Sequence, residues 1–229
     1  MFRAVRQVLL LAVALAGLIL LPAHLSGGLL AGQRALRAAA SFSIYLLFFA
    51  SGTLRRMFRH GRLASRQQDA QRGSGGSRAA LLLFAAVAVP AGHYGAWWYS
   101  SLAASSPGAL SGTAQLLLPA LGYALMDFNR LVAPDRLVTC GCYAHIQHPL
   151  YTSYMMLFVG HCLSLGSPMA AGFLWAACLA YYRSRTRIEE RLLEQSFGEQ
   201  YRQYRSSTGR FVPQLAGWRR GSPSQAKLE

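Results

Sequence analysis

Two short polar blocks of this chain carry the residue types that most often do chemistry. The first is GCYAHIQHPLY, from Gly141 to Tyr151, and the second is RTRIEERLLEQSFGEQYRQY, which begins at Arg185. Proline is favoured at the first position of a helix, so we expect a helix to begin at Pro149 with His148 just outside it. The free N–H groups at such a helix start attract anions, for example the carboxylate of an amino-acid-like ligand.

Arg185 and Glu189 form the second candidate constellation. They are four residues apart, so on a helix both side chains project from one face. A carboxylate in that position can hold the ammonium group or ribose hydroxyls of a ligand, while the guanidinium can bind a substrate anion through two hydrogen bonds. The alternative is an ordinary ion pair on a helix surface, which contributes little to stability.

A third pattern, C-x-C-x2-H-x2-H, has the spacing of a compact metal site and is formed by Cys140, Cys142, His145 and His148. Thiolate and imidazole ligands suit zinc. Short Cys/His spacings also arise by chance. The cysteines of the chain fall in or beside apolar segments, where cysteine usually behaves as a small buried residue. We therefore assign no metal-binding residues.

The elements that must position these blocks are apolar segments of membrane length. Of the 229 residues, 53% are hydrophobic and only 14% are charged, against about a quarter charged in a typical soluble domain. No Asp, Glu, Lys or Arg occurs in residues 79–126 or 137–182, and each stretch has room for two spanning helices of about 20 residues. The sequence predicts an all-α, polytopic membrane helix bundle of about six spans: 6–24, 37–54, 79–103, 108–130, 149–165 and 168–183.

The last two predicted spans are separated by a very short turn, so they should form a helical hairpin. An amphipathic cytoplasmic helix should follow, from Arg185 to about Ser206. Its apolar stripe recurs at helical spacing and consists of Leu193, Phe197, Tyr201 and Tyr204.

The net charge of +15 is concentrated in a few segments. Arginines crowd the loop 55–78 and the segment that follows residue 182. Cytoplasmic loops carry this kind of excess, so an even number of spans places both termini and both polar blocks on the cytoplasmic side. Attraction to anionic membrane lipids explains the basicity, and we expect no nucleic-acid partner.

The two blocks together carry a family resemblance. The first lies in the stretch LVTCGCYAHIQHPLY, from Leu137 to Tyr151, and the second combines an arginine, two glutamates and the pattern F-G-x-x-Y-x-x-Y. They resemble the isoprenylcysteine carboxyl methyltransferase family, whose members are membrane-embedded, S-adenosylmethionine-dependent enzymes related to the phospholipid methyltransferases. The resemblance covers about residues 134–214 and implies a methyltransferase catalytic region at 131–215. Composition predicts membrane helices at 1–130, with the Arg-rich cytoplasmic loop 55–78, and a disordered tail at 216–229.

The resemblance also implies which residues contact S-adenosylmethionine and the substrate. Arg185 corresponds to the residue placed at the substrate. Gln147 stands where the family usually has an arginine before His-Pro, which removes a cation beside the expected cofactor carboxylate. The cofactor contacts implied by the resemblance are Leu137, Val138, Tyr143, His148, Pro149, Leu150, Tyr151 and Glu189.

The implied reaction is methylation of the carboxylate of a C-terminal prenylated cysteine, whose lipid part would enter sideways from the membrane. A carboxylate is already ionised at neutral pH, and the arginines after the last span favour an anionic acceptor. Methylation of a phospholipid amine or of a small thiol would use the same cofactor site. An NADPH-dependent lipid reductase and a helical membrane scaffold remain alternatives. The implied compartment is the endoplasmic reticulum in a eukaryote and the inner membrane in a bacterium.

Overall fold

The described part of the chain is helical. The computed structural model describes residues 2–27, 32–60, 75–102 and 137–214. Within these ranges the α-helices are α1 (Phe2–Leu15), α2 (Leu21–Leu25), α3 (Gly32–His60), α4 (Gly75–Leu83), α5 (Val89–Leu102), α6 (Pro149–Ser164) and α7 (Pro168–Ser207). The same ranges contain no strand, only an isolated parallel bridge between Ile146 and Gly209. The predicted all-α architecture is confirmed for this part of the chain.

Two π-helical turns continue the helices through prolines. The turn Ala16–Leu20 joins α1 to α2, and the turn Phe84–Ala88 joins α4 to α5. One residue separates each π-helical turn from a proline, which is Pro22 in the first helix and Pro90 in the second. A proline lacks the N–H that would bond to the carbonyl four residues earlier, and its ring crowds that carbonyl. In both helices this carbonyl belongs to the wider π turn, which accommodates the proline inside a long apolar helix.

Among the described residues, three helices are long and apolar enough to cross a membrane. They are Val5–Leu25, Arg34–Leu54 and Ala79–Leu102, with mean hydropathies of 2.5, 1.4 and 1.6. They coincide closely with the predicted spans 6–24, 37–54 and 79–103, and the predicted span 108–130 lies outside the described residues. The structure therefore supports a membrane protein with three candidate spans.

The predicted hairpin is formed by α6 and α7. Helix α6 has 16 residues, fewer than the roughly 20 that cross a bilayer at right angles. Helix α7 continues for 40 residues, well past the predicted span end at residue 183. Residues 185–206 are thus a continuation of the same helix rather than a separate element. Gly198 interrupts it with a positive φ of 51°, a conformation that glycine adopts at little cost.

Helix α6 packs against α3, α5 and α7, and its ring contacts fix the relative direction of α3. Near its start, Tyr154 stacks on Phe49 with ring centroids 5.7 Å apart. Near its end, His161 bonds to Ser41. Helices α3 and α6 therefore run antiparallel. The end of the bundle that holds the start of α6 also holds the last half of α7, and the opposite end holds the start of α3.

Candidate active site

His148 and Pro149 lie where the sequence predicts them, at the start of α6. Pro149 is the first residue of the helix and His148 its N-terminal cap, with φ −126° and ψ 62°. Both side chains are buried. The predicted helix start at Pro149 is confirmed.

Glu189 joins the two polar blocks. Tyr151 Oη donates a hydrogen bond of 2.5 Å to Glu189 Oε1, and Arg185 Nε lies 3.2 Å from the same oxygen. The other oxygen, Oε2, lies 3.8 Å from His148 Nδ1. The Glu189 side chain is 28% exposed, so the carboxylate is held by protein groups on one side and faces open space on the other.

Tyr143 approaches this cluster from the 3-10 turn Gly141–Ala144. Burial and then the neighbouring Glu189 carboxylate raise the pKa of the Tyr143 phenol to about 12. The phenol therefore stays protonated at neutral pH and acts as a hydrogen-bond donor. Tyr204 Oη donates to the Tyr143 carbonyl at 2.8 Å, which fixes the turn against α7.

The remaining predicted residues surround the start of α6 without reaching Glu189 by a polar contact. Leu137 is buried and Val138 half-buried in the extended chain before the 3-10 turn. Leu150 is half-buried and packs on the hydrophobic core. In the described chain, no hydrogen bond or ion pair joins any of the three to Glu189. The structure thus brings together Tyr143, His148, Pro149, Tyr151, Arg185 and Glu189.

Sequence reasoning missed Glu190 and Arg210. Glu190 is only 5% exposed, and its Oε1 accepts from His148 Nε2 at 3.3 Å. Arg210 Nε lies 2.7 Å from Oε1, and Arg210 Nη2 donates to Oε2 at 2.8 Å. This carboxylate therefore fixes one ring nitrogen of His148 as a donor. The available signal was weak: Arg210 is the only charged residue between positions 206 and 214.

The segment 208–214 returns to the start of α6 and pairs with the chain before it. Gly209 N donates to His145 O at 3.2 Å, and Gln147 N donates to Gly209 O at 2.8 Å. Thr152 Oγ1 bonds to Phe211 O at 2.8 Å. A Cβ on Gly209 would lie 1.7 Å from the Val212 carbonyl oxygen, so only glycine fits this close turn.

Gln147, the departure from the family pattern, is part of this connection. Its side-chain nitrogen donates to Thr208 O at 2.6 Å, and the residue is buried. The amide therefore anchors the returning segment. The family arginine is absent at position 147, and the cation near His148 is Arg210, which lies in the returning segment 208–214.

The C-x-C-x2-H-x2-H pattern is divided between exposed and buried positions. Cys140 and His145 are exposed, whereas His148 is buried beside Glu189 and Glu190. Among the described residues, no group of three or more His, Cys, Asp or Glu side chains could hold a metal ion.

Glu190 should make the stability of the fold depend on pH in the acidic range. Burial alone would raise the pKa of its carboxyl, but hydrogen bonds from His148 and Arg210 outweigh burial and lower it below the ordinary 4.5. A lowered folded-state pKa means that ionised Glu190 stabilises the fold above pH 4.5, and that this contribution is lost as the pH falls further. We expect Glu190→Gln to lower the Tm by about 3–6 °C at pH 6 and by much less at pH 3.5.

Thermal unfolding in detergent at the two pH values measures this difference. Glu199→Gln is the matched control, because Glu199 pairs with Arg202 on an exposed part of the same helix and such pairs contribute little. An equal Tm loss for Glu190→Gln at both pH values would mean that the carboxylate charge is not what stabilises the fold.

Comparison with known proteins finds similarity over the C-terminal part of the chain. Residues 113–200 match the family model described as phospholipid methyltransferase. A 98-residue stretch is 31% identical to a protein-S-isoprenylcysteine O-methyltransferase of Tribolium castaneum, covering 41% of this chain and 35% of that protein. The human protein of the same name is 29% identical over 96 residues, which is 40% of this chain and 34% of the relative.

The C-terminal part of the chain is similar to protein-S-isoprenylcysteine O-methyltransferases. An Arabidopsis thaliana relative, protein-S-isoprenylcysteine O-methyltransferase A, is 34% identical over 77 residues, covering 34% of this chain and 39% of its own length. The chain thus spans between a third and two-fifths of the length of these relatives. The family match includes α6 and α7 up to residue 200, and with them His148, Arg185 and Glu189. Arg210 lies beyond it.

Proposed function

We propose that this protein is a membrane methyltransferase that uses S-adenosylmethionine to methylate the carboxylate of a C-terminal prenylated cysteine. The observation that carries the proposal is the contact between Arg185 and Glu189, at the end of an apolar helical hairpin. It places a cation and an anion side by side, one suited to an anionic acceptor and the other to a cationic donor. The similarity to protein-S-isoprenylcysteine O-methyltransferases supports the same reaction.

The residues at the start of α6 fit the cofactor. Its amino-acid part carries an ammonium and a carboxylate. The free face of Glu189 can accept from the ammonium or from ribose hydroxyls, and the helix start at Pro149 favours the carboxylate. The rings of Tyr143 and Tyr151 lie next to Glu189, and aromatic faces attract cations such as a sulfonium. We propose the full contact set as Leu137, Val138, Tyr143, His148, Pro149, Leu150, Tyr151 and Glu189.

S-adenosylmethionine would supply a methyl group bound to a positively charged sulfur, which moves to a carboxylate oxygen of the acceptor. Arg185 would bind the second oxygen of that carboxylate and hold the first in line. The acceptor is ionised at neutral pH, so no residue has to remove a proton. Opposite charges disappear in this reaction, and a pocket shielded from water therefore accelerates it.

An aromatic wall beside the cluster suits a lipidic acceptor. Tyr151 stacks on Tyr182 with ring centroids 4.7 Å apart, and Phe84 contacts Tyr182 at 5.5 Å. Phe84 belongs to the candidate span Ala79–Leu102. The wall thus leads from Glu189 towards the apolar helices, the direction from which a prenyl group would arrive.

Methylation of a phospholipid amine is the second candidate, favoured by the description of the matching family model. Arg185 would then bind the lipid phosphate. An amine is protonated at neutral pH and must lose a proton before it reacts. A carboxylate acceptor needs no such step, because it is already ionised at neutral pH.

We further propose the cellular setting. The methyltransferase region is 131–215, and the active site and both termini face the cytoplasm. The membrane is the endoplasmic reticulum in a eukaryotic host and the inner membrane in a bacterial one. The Arg-rich segments, which would lie on the cytoplasmic side, support this orientation.

The test is methyl transfer from radiolabelled S-adenosylmethionine by the purified full chain in proteoliposomes. Three acceptors are offered separately: N-acetyl-S-farnesylcysteine, phosphatidylethanolamine and a small alkyl thiol. A methyl ester releases methanol in alkali, whereas N-methyl and S-methyl products do not. Alkali-labile label with the farnesylcysteine alone is the expected result. Label that appears only in the phospholipid would replace this proposal with amine methylation, and no label with any acceptor would overturn both.

A further inference from the structure

A second polar cluster lies inside the bundle, far from Glu189. Its side chains come from α3, α5 and α6 and are Ser41, Tyr45, His93, Trp97 and His161, with Arg34 at the start of α3 beside them. His161 is 13 residues along α6 from His148, which corresponds to roughly 20 Å at 1.5 Å per residue. Polar groups buried inside the helix bundle of a membrane protein are costly and commonly functional.

Half of this cluster is internally satisfied. His93 Nδ1 donates to the Val89 carbonyl at 2.8 Å, so its Nε2 is the acceptor. Tyr45 Oη donates to that nitrogen, also at 2.8 Å. His93 and Tyr45 therefore satisfy each other and bridge α3 to α5, and Tyr45 Oη also lies 3.3 Å from the Leu157 carbonyl of α6.

Within the described part of the chain, the other half has three buried nitrogens without a hydrogen-bond partner. They are Arg34 Nε, Trp97 Nε1 and His161 Nε2. Trp97 is 0% exposed and His161 1%. The Arg34 guanidinium lies 5.9 Å from the Trp97 ring centroid, and the His161 ring lies 6.1 Å from it. The Arg34 guanidinium and the His161 ring therefore both lie beside the Trp97 indole.

The missing partner must accept hydrogen bonds. Arg34 Nε and Trp97 Nε1 can only donate, and His161 Nε2 donates whenever its Nδ1 accepts from the Ser41 hydroxyl. A buried donor left unpaired destabilises the fold. The unpaired donors of this cluster therefore favour an oxygen-bearing ligand that can accept from them.

The charge of Arg34 makes that ligand an anion. Arg34 Nη2 donates to the hydroxyl of Ser26 at 2.9 Å and to its carbonyl at 3.3 Å, and both are neutral groups. The described carboxylates all lie on α7 between residues 189 and 199, and the sequence contains no Asp or Glu before Asp69. Within the described chain the guanidinium thus has no compensating negative charge.

We propose that Arg34, Trp97 and His161 bind the phosphate group of a membrane lipid at the end of the bundle opposite the Glu189 site. Arg34 is the first residue of one candidate span, and Trp97 is five residues from the end of another. This is the level at which lipid headgroups meet the apolar layer. Exposed Leu36 and Leu102 flank the cluster along the chain and would contact the acyl chains.

The site is independent of the proposed methyl transfer, because it shares no residue with it. It also accounts for an arginine at the non-cytoplasmic end of α3 in the proposed orientation. Helix α3 begins at Arg34 and ends at the Arg-rich loop, so Arg34 departs from the charge bias of cytoplasmic loops. A bound lipid phosphate supplies the reason for a cation at that end.

Native mass spectrometry of the delipidated full chain tests the proposal. The probes are dioleoyl phosphatidylglycerol, dioleoylglycerol, which has the same chains but no phosphate, and inorganic phosphate. We expect phosphatidylglycerol to bind at least about tenfold more tightly than dioleoylglycerol. Equal binding of these two lipids would overturn the phosphate contact. Displacement of the lipid by an equal concentration of inorganic phosphate would show a free-phosphate site instead.

Three variants locate the contact. Arg34→Gln should weaken phosphatidylglycerol binding about tenfold or more, and Trp97→Phe, which keeps an aromatic ring and loses only the N–H, about threefold to tenfold. Arg37→Gln is the control one turn along α3 and should change it less than about twofold. Circular dichroism and gel filtration check that each variant folds. Wild-type affinity in folded Arg34→Gln or in Trp97→Phe would exclude the site.

Discussion

Replacing Glu189 with glutamine should weaken binding of S-adenosylhomocysteine by about 10- to 100-fold. The glutamine has the same shape as Glu189 but carries no charge, so it loses the charge-assisted hydrogen bond to the ligand's ammonium or ribose, a contribution of about 1.5–3 kcal/mol. It also places an amide opposite the donors Tyr151 and Arg185, which now hold the carboxylate. Isothermal titration calorimetry on detergent-purified protein measures the affinity directly.

Glu194→Gln is the matched control for this measurement. Glu194 lies about one turn further along α7 and pairs with Arg202 at 3.7 Å on an exposed surface, so its replacement should leave the affinity unchanged. His148→Ala provides a second arm, because His148 approaches the same carboxylate, and its affinity should fall as well. Wild-type binding by folded Glu189→Gln protein would remove Glu189 from the cofactor site.

Replacing Arg185 with alanine should lower kcat/KM for a prenylated cysteine about 100-fold and leave the affinity for S-adenosylhomocysteine within about threefold. The guanidinium would hold the acceptor carboxylate, and about 2.7 kcal/mol of transition-state stabilisation corresponds to this factor. Glu189 would still be held by Tyr151, which is why the cofactor contact should persist. Arg185→Lys should recover little, since an ammonium lacks the planar two-donor geometry.

Arg187→Ala serves as the control for the charge itself. Arg187 is two residues away on the same helix and is exposed, so its removal changes the net charge equally without touching Glu189. Steady-state rates with the methyl acceptor and calorimetry with the cofactor product are measured on the same preparations. A parallel loss of turnover and cofactor affinity in Arg185→Ala would make Arg185 a structural support of Glu189 and not a substrate contact.

The neighbouring residues Glu189 and Glu190 on α7 have different surroundings, which the sequence pattern does not reveal. Glu189 is partly exposed beside Arg185, whereas its neighbour Glu190 is buried between His148 and Arg210. Successive residues on a helix point about 100° apart, so one carboxylate can face the open site while the next faces the core. Glu190 thereby holds the His148 ring through Nε2, while the other ring nitrogen, Nδ1, faces Glu189.

The sequence by itself determined the features that depend on short-range periodicity and composition. Uncharged apolar stretches of membrane length predicted the helices Val5–Leu25, Arg34–Leu54 and Ala79–Leu102. Proline chemistry predicted the start of α6 at Pro149, and the four-residue spacing predicted that Arg185 and Glu189 share a face. Each of these follows from the geometry of one helix turn or from the thickness of a bilayer, so no knowledge of packing was required.

Only the tertiary structure decided how distant segments meet. Three contacting pairs are far apart in the sequence. Tyr151 is 38 residues from Glu189, His148 is 42 residues from Glu190, and Arg210 is 20 residues from Glu190. Their contacts depend on how far α7 slides along α6 and on the return of the chain after Ser207. Helix α7 also packs closely on α5, where a Cβ at Gly92 would lie 2.3 Å from Leu174.

The same reason explains the Arg34, Trp97 and His161 cluster. Each residue is unremarkable in its own helix, as a flanking arginine, an interfacial tryptophan and a histidine in an apolar run. They form a cluster because three helices bring these positions close together. Helix periodicity fixes which residues share a face within a helix, but the relative height of neighbouring helices is a property of the packed bundle.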